Sequence, residues 1–187
     1  MARRQRSFPE AGLFALVLLC AACSGPIAPR IYDPGVVHEE TGAFPVGEIG
    51  PFSGAQAAEA LAFHRGFARA LEECNARGGA QGRRIELRVL DDRGRPEETR
   101  MGVQRLSGPS GAVAIGCSSP AECLKAAREA AGELAIVPGA DSGTPEERGY
   151  AAGRQLVAAF ENAKKILPKE VGAELAAASG RAYPRAP

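Results

Sequence analysis

Two adjacent serines follow a short apolar run in the middle of the chain, within the segment GAVAIGCSSPAECLKAA at 111–127. The run at 112–116 has the continuous apolar pattern of a strand that is covered on both faces. Ser118 and Ser119 would then lie in the turn between this strand and a helix. Hydroxyl groups in such a turn are able to hydrogen-bond a small polar ligand. This turn is therefore the first candidate for a binding site.

The segment after the turn carries the start signals of a helix. Ser119 and Glu122 have the S-x-x-E spacing of a capping box, and Pro120 stands at the first helical position. The backbone N–H groups and the positive dipole end of such a helix favour a small anion, for example a carboxylate. A second interpretation stays open, in which Ser119 only caps the helix and Ser118 is a solvated turn residue.

Strand and helix patterns alternate along the chain. Strands are predicted from Val46, from Ile85 to Leu90 with the alternation of an edge strand, at 112–116 and at 133–138. This order predicts an α/β fold, a parallel sheet with helices on both faces. Ligands of such sheets lie beyond the carboxyl ends of the strands. Four turns are expected to meet there: Phe52-Ser53-Gly54, Asp91-Asp92, Cys117-Ser118-Ser119 and Gly139-Ala140-Asp141.

Helices are predicted at 59–76, where Gly78-Gly79 follows as a stop signal, and at Pro96–Leu106. The first has a core face at three- and four-residue spacing: Phe63, Phe67, Ala70, Leu71 and Cys74. After a predicted loop at 139–149, a last long helix is expected to end at Pro168, with a shorter one at 169–178. The apolar face of the long helix contains Leu156, Val157, Phe160, Ala163 and Ile166-Leu167.

The N-terminus has the pattern of a secretory signal. Three arginines among the first six residues precede an apolar run at 13–19 that is too short to span a bilayer. Cys23 after two alanines is similar to a lipobox cysteine, which becomes the lipidated first residue of a bacterial lipoprotein. Cys20 stands where that motif usually has leucine, so cleavage by the ordinary signal peptidase stays open.

These patterns divide the chain into four parts. Residues 1–22 are a lipoprotein signal peptide, 23–45 a flexible tether, 46–180 the folded lobe and 181–187 a frayed tail. The expected location is the periplasmic side of the bacterial cell envelope, with the membrane as partner through the lipid anchor. The chain has 23 basic and 22 acidic residues, and this balance gives no reason to expect nucleic acid as a partner.

The sequence does not favour an enzyme. The spacing of potential ligands indicates no metal site and no cofactor, and His38 and His64 are expected at the surface. A hydrolase would need a G-x-S-x-G elbow, which is missing. Asp91-Asp92 is similar to the acidic pair of a receiver domain, but it follows the second strand instead of the first. An odd cysteine set (Cys74, Cys117 and Cys123) allows at most one disulfide.

With these turns in place, residues from about Val46 to Tyr150 resemble the periplasmic binding proteins for branched-chain amino acids. These are solute receptors of ABC importers with the type I periplasmic-binding fold. The stretches that carry the resemblance are IGPFSG (49–54), NARGGAQGRRIEL (75–87), LDDRGRPEE (90–98), IGCSS (115–119) and PGADSGTPEERGY (138–150). None is specific alone, but their order and spacing together are. The resemblance implies a small-molecule ligand, an amino acid or a related carboxylate, and leaves an ABC permease open as a partner.

The resemblance also implies a set of ligand-binding residues. Ser118 and Ser119 would hold the ligand carboxylate, and Ala140 and Asp141 would hold the amine, with Ser53 in the first turn completing the predicted set. No catalytic residue and no metal ligand is implied.

The chain departs from the family pattern at several points. Near Glu59, where many members place an aromatic side chain on the ligand, there is none, and Asp141 replaces a threonine. Gly94 stands where some members have a cysteine paired with the one at Cys117. After Tyr150 the family continues through a second lobe, and here the sequence resembles the late helix that returns to the first lobe. We therefore expect a single lobe that binds weakly as a monomer. Whether it is a stable one-lobe protein, a gene remnant or a truncated reading frame stays open. The rival interpretation is a structural or interaction lipoprotein without a small-molecule ligand.

Overall fold

A computed structural model describes residues 42–108 and 111–179. The strands are β1 (Phe44–Gly50), β2 (Ile85–Asp91), β3 (Ala114–Cys117) and β4 (Ala135–Pro138). The helices are α1 (Ala57–Ala76), α2 (Pro96–Leu106), α3 (Ala121–Ala130), α4 (Pro145–Asn162) and α5 (Pro168–Ser179). The predicted signal peptide, Cys23, His38, nearly all of the tether and the tail lie outside the described residues.

The described strands form one parallel sheet in the order β2-β1-β3-β4. This confirms the predicted α/β fold class. In this sheet β2 lies at one edge, as its alternating pattern predicted, and β1 lies inside, where six of its seven residues are buried. The order places the carboxyl ends of β1, β3 and β4 side by side. The turns that follow these strands therefore lie at one end of the sheet.

Helices cover both faces of the sheet. On one face, α1, α4 and α5 pack against a core that contains Val46, Phe67 and Phe160. On the other face, α2 and α3 pack against a core that contains Ile49 and Ile115. Val46 and Ile49 lie on opposite faces of β1, and both are fully buried. Strand β1 therefore needs apolar residues on both faces. The predicted core face of α1 is confirmed, since all five of its residues are buried.

Glycines allow α1 and α4 to pack closely. A Cβ atom on Gly149 would lie 2.0 Å from the carbonyl oxygen of Phe63, and one on Gly66 would lie 1.9 Å from that of Glu146. Real side chains do not tolerate such distances, so each glycine is required for the close approach of the backbones. This packing fixes the start of α4 against α1, beside the carboxyl ends of the strands.

Several boundaries differ from the sequence predictions, three of them with a clear physical reason or consequence. Strand β1 begins at Phe44, two residues before Val46, because the buried Phe44 pairs with Ile85. The predicted loop at 139–149 is shorter, since α4 begins at Pro145. Pro168 begins α5 and does not end α4, which ends at Asn162. A proline fits the first turn of a helix because the N–H it lacks would have no partner there.

No helix within 42–108 and 111–179 is both long and apolar enough to cross a membrane.

Candidate functional site

The carboxyl ends of β1, β3 and β4 border a pocket of about 410 Å³. Four of the five predicted ligand-binding residues line it: Ser118, Ser119, Ala140 and Asp141. Ser53 is exposed and is not among the residues that line this pocket. The structure thus brings together side chains from two turns that are more than 20 residues apart in the chain.

The hydroxyl group of Ser119 donates to the carboxylate of Asp92 and does not cap the helix. The predicted capping box at Ser119 and Glu122 is therefore wrong. Helix α3 begins at Ala121 with Pro120 as its N-cap residue, and no side chain in the described structure accepts from its first turn. A carboxylate is a strong acceptor for the Ser119 hydroxyl, and this contact directs the side chain towards Asp92.

Asp92 joins the turn after β2 to the turn after β3. It is 1% exposed and accepts hydrogen bonds from the hydroxyl of Thr99 at 2.8 Å and from the backbone N–H of Gly94 at 2.9 Å, in addition to that of Ser119. The sequence singled out Asp91-Asp92 as a turn and as part of the family pattern but not as a partner of Ser119, because this pairing depends on the strand order. Asp92 is therefore a positioning residue, which holds the serine turn in place.

The first turn of α3 is open towards the pocket. Ser119, Pro120 and Ala121 all line the pocket. The first N–H groups of a helix have no acceptor within the helix, and here no side chain caps them in the described structure. Together with the hydroxyl of Ser118, they can hold an anionic group such as a carboxylate.

Ser118 lies directly over the end of β1. Its backbone N–H donates to the carbonyl of Ile49 at 3.0 Å, while its hydroxyl makes only a long contact of 3.5 Å with the same oxygen. A Cβ atom on Gly50 would lie 2.0 Å from the Ser118 hydroxyl, which would then have to move from this position. The hydroxyl keeps its capacity to make a stronger hydrogen bond with a ligand.

Glu59 and Arg148 form the other side of the pocket, and sequence reasoning did not assign either to the site. The guanidinium of Arg148 on α4 donates to the carboxylate of Glu59 on α1, and both residues line the pocket. The sequence placed Arg148 in a loop, so it gave no sign that α4 would carry it against α1. Phe63, predicted as core, is 3% exposed and also lines the pocket.

His64 and Glu48 form a second polar pair, inside the fold. Nδ1 of His64 lies 2.7 Å from Oε2 of Glu48, and the two side chains are 16% and 0% exposed. The expectation that His64 is a surface histidine is therefore wrong, because α1 places it over the sheet. Burial raises the pKa of Glu48, and the hydrogen bond with His64 offsets part of this effect. Neither residue is among those that line the pocket.

The cysteines of the described region are buried and free: Cys74, Cys117 and Cys123. Burial raises the pKa of Cys117 to about 11 and raises that of Cys123 as well. A thiol with so high a pKa carries little thiolate at neutral pH and is a poor nucleophile. Within 42–108 and 111–179, no group of three His, Cys, Asp or Glu side chains is placed to hold a metal ion.

A family model described as "Periplasmic binding protein" matches residues 43–152, which is more than half of the chain. The chain belongs to the periplasmic binding protein family. This confirms the resemblance seen in the sequence, and membership implies a location in the periplasm or cell envelope.

Individual relatives match part of their length only. An "Amino acid binding protein" of Pseudomonas aeruginosa is 34% identical over 107 residues, which are 56% of this chain and 29% of that protein. Among solved structures, the leucine binding protein LivK of Thermotoga maritima has 21% identity and a TM-score of 0.47, covering 51% of this chain and 27% of the other. The isoleucine complex of LivJ from Streptococcus pneumoniae has 24% identity and a TM-score of 0.44, covering 51% and 28%.

Proposed function

We propose that this chain is a solute-binding receptor for an amino acid or a related small carboxylate, working with an ABC importer. The observation that carries this proposal is the pocket itself. Residues from two separate turns, Ser118 with Ser119 and Ala140 with Asp141, line it beside the uncapped start of α3. Family membership and the amino acid binding protein of Pseudomonas aeruginosa support the same class of ligand.

The roles follow from the chemistry of each wall. The N–H groups at the start of α3 and the Ser118 hydroxyl receive the ligand carboxylate. Asp141, which follows the neighbouring strand β4 and lines the same pocket, attracts the ligand ammonium group, since opposite charges interact favourably at close range. Asp92 keeps Ser119 in position through its buried carboxylate. No step in this function needs a cofactor.

The described residues supply one wall of a binding site, and this sets the expected affinity. Pockets that enclose a small ligand bury roughly 70–90% of its surface. If a fully enclosed site gave about −8 kcal/mol, near micromolar, half of the contacts would give about −4 kcal/mol, near millimolar. We therefore expect weak binding by the monomer, unless another molecule covers the open side.

The test is an NMR titration of the purified chain with a panel of amino acids, amides and short carboxylic acids. We expect shifts in the amide signals of Ser118, Ser119 and Ala121 at millimolar ligand. Ser118→Ala should weaken binding about fivefold, through the loss of one hydrogen bond. Ser53→Ala is the matched control, since Ser53 was predicted for the site but lies outside the pocket lining.

Three results of this titration would contradict the proposal or a part of it. Saturation at low micromolar ligand by the monomer would refute the one-wall argument. If no ligand in the panel shifts any pocket signal, the receptor proposal falls and the interaction lipoprotein becomes the better interpretation. If Ser118→Ala and Ser53→Ala changed the affinity equally, the assignment of Ser118 as a ligand for the carboxylate would be contradicted.

We also propose that Cys23 anchors the chain to the membrane through lipidation. The basic start, the short apolar run and the Ala-Ala-Cys-Ser junction support this. Several acyl chains hold a protein at the membrane far more firmly than one. Cys23→Ala should release the protein from the membrane fraction and remove the lipid mass in mass spectrometry. An unchanged mass and location would contradict the proposal.

A further inference from the structure

Arg148 is the one pocket-lining residue of the described chain that carries a positive charge. One of its terminal nitrogens, Nη2, is paired with Glu59, while Nε is buried and has no hydrogen-bond partner among the described residues. A Cβ atom on Gly139 would lie 3.2 Å from Cβ of Arg148, so the side chain starts against the loop after β4. The Arg148 side chain is 31% exposed, so it contributes both buried and accessible surface to the pocket.

The pairing with Glu59 leaves part of the guanidinium available. Arginine has five N–H donors in a planar fork, and the contact with Glu59 uses only some of them. Nε itself is buried, so the donors that remain for a ligand oxygen are those of the terminal nitrogens that Glu59 does not use. Glu59 holds the guanidinium in place, so little side-chain freedom remains to be lost on binding.

The charges around the pocket limit which acceptor fits. Two carboxylates, Glu59 and Asp141, and one guanidinium line it. A second carboxylate on the ligand would be attracted to Arg148, but that charge is already paired with Glu59, and two carboxylates against one guanidinium leave the charge of the lining net negative. A neutral carbonyl can accept from Arg148 without repulsion from that negative charge. An amide N–H₂ can also donate to Glu59, which is 60% exposed.

We propose that Arg148 is a specificity-determining residue, which donates to a neutral oxygen on the ligand's side chain. The ligand is then an amino acid with an amide side chain and not one with a branched aliphatic side chain. This inference rests on the proposed function, because it assumes that the carboxylate end of the ligand lies at α3.

Three ligands of nearly the same shape provide the test: leucine, asparagine and aspartate. NMR titration of the unmodified chain should show asparagine binding about tenfold or more tightly than leucine, as expected for a hydrogen bond to a charged donor. Aspartate should bind more weakly than asparagine. This series tests the ligand preference without any substitution.

Variants locate the preference in the pocket. Arg148→Met keeps the length of the side chain and should bring the affinities for asparagine and leucine to within about twofold of each other. Arg65→Met is the matched control: Arg65 is an exposed arginine of α1 with its own glutamate partner, Glu146, and it does not line the pocket. The control should keep the full preference for asparagine.

The results that would overturn the inference about Arg148 differ from those that would overturn the receptor function. Leucine binding as tightly as asparagine, or aspartate binding more tightly than asparagine, would overturn the inference and leave the receptor function standing. The same holds if folded Arg148→Met keeps its preference. If none of the three ligands nor any other amino acid binds, the proposed function fails and this inference fails with it.

Discussion

Replacement of Asp92 by asparagine should destabilise the fold although the side chain keeps its shape. The carboxylate is 1% exposed and accepts from two hydroxyls, those of Thr99 and Ser119, through the same oxygen. In the variant, an amide N–H₂ group takes the place of this oxygen and faces two former donors. Thr99 can rotate its hydroxyl towards the carbonyl of Arg95, which lies 3.0 Å away, and Ser119 can rotate towards the pocket.

The magnitude follows from the change in hydrogen-bond type. A hydrogen bond to a charged group contributes about 1.5–3 kcal/mol and a neutral one about 0.5–1.5 kcal/mol, so each of the two loses about 1 kcal/mol. Removal of a buried charge offsets part of this loss. We therefore expect the free energy of unfolding to fall by about 1–2 kcal/mol. In urea this is a decrease of about 0.5–1 M in the midpoint at an unchanged slope near 2 kcal/mol/M.

Asp91→Asn is the matched control, one residue earlier. Asp91 accepts from the backbone N–H of Arg93 at 2.9 Å in an exposed contact, so its substitution should cost less than about 0.5 kcal/mol. A double-mutant cycle between Asp92→Asn and Ser119→Ala should show coupling, because the two side chains are in contact. Equal midpoints for the two asparagine variants, or additivity in the cycle, would refute the assigned role of Asp92.

Two further predictions concern stability. Gly149→Ala should lower the free energy of unfolding by about 1–3 kcal/mol or more, because its Cβ would lie 2.0 Å from the carbonyl oxygen of Phe63. Gly108→Ala is the control: the nearest atom to its Cβ would be 3.7 Å away, so its thermal unfolding should be nearly unchanged. Burial raises the pKa of Glu48 above 4.5, so the folded state binds its proton more tightly and stability should fall as the pH rises from about 4.5 through that raised pKa. Glu48→Gln should flatten this part of the pH profile measured by urea unfolding, while its amide still accepts from His64; an unchanged profile would show that Glu48 does not titrate in this range.

Two capping signals show how much of the structure a local sequence pattern can predict. The spacing S/T-x-x-E occurs at Ser119 and again at Thr144. At Thr144 the structure has the full capping box, in which Glu147 and Thr144 bond each other's backbone N–H groups. Ser119 has the same signal, but its hydroxyl donates to a buried carboxylate in the turn after β2, and α3 has no side-chain cap. A pattern of four residues contains no information on a partner 27 positions away, so the two sites could not be told apart.

The position of His64 has the same explanation. A lone histidine beside an arginine on a helix gives no local sign of a buried partner. Only the packing of α1 over β1 places it 2.7 Å from Glu48, a glutamate inside a strand whose other residues are mostly apolar. The pairing joins two elements, and neither element alone predicts it.

The sequence by itself determined the order of strands and helices, the parallel sheet, the family and the serine turn at Ser118. These depend on periodicity, turn residues and motif order, all of which are local properties of the chain. The tertiary structure alone decided which side chains meet: Asp92 with Ser119, and Arg148 with Glu59 in the same pocket. The physical reason is that strand order and the close packing of α4 on α1 bring these pairs together, and both depend on contacts between distant segments.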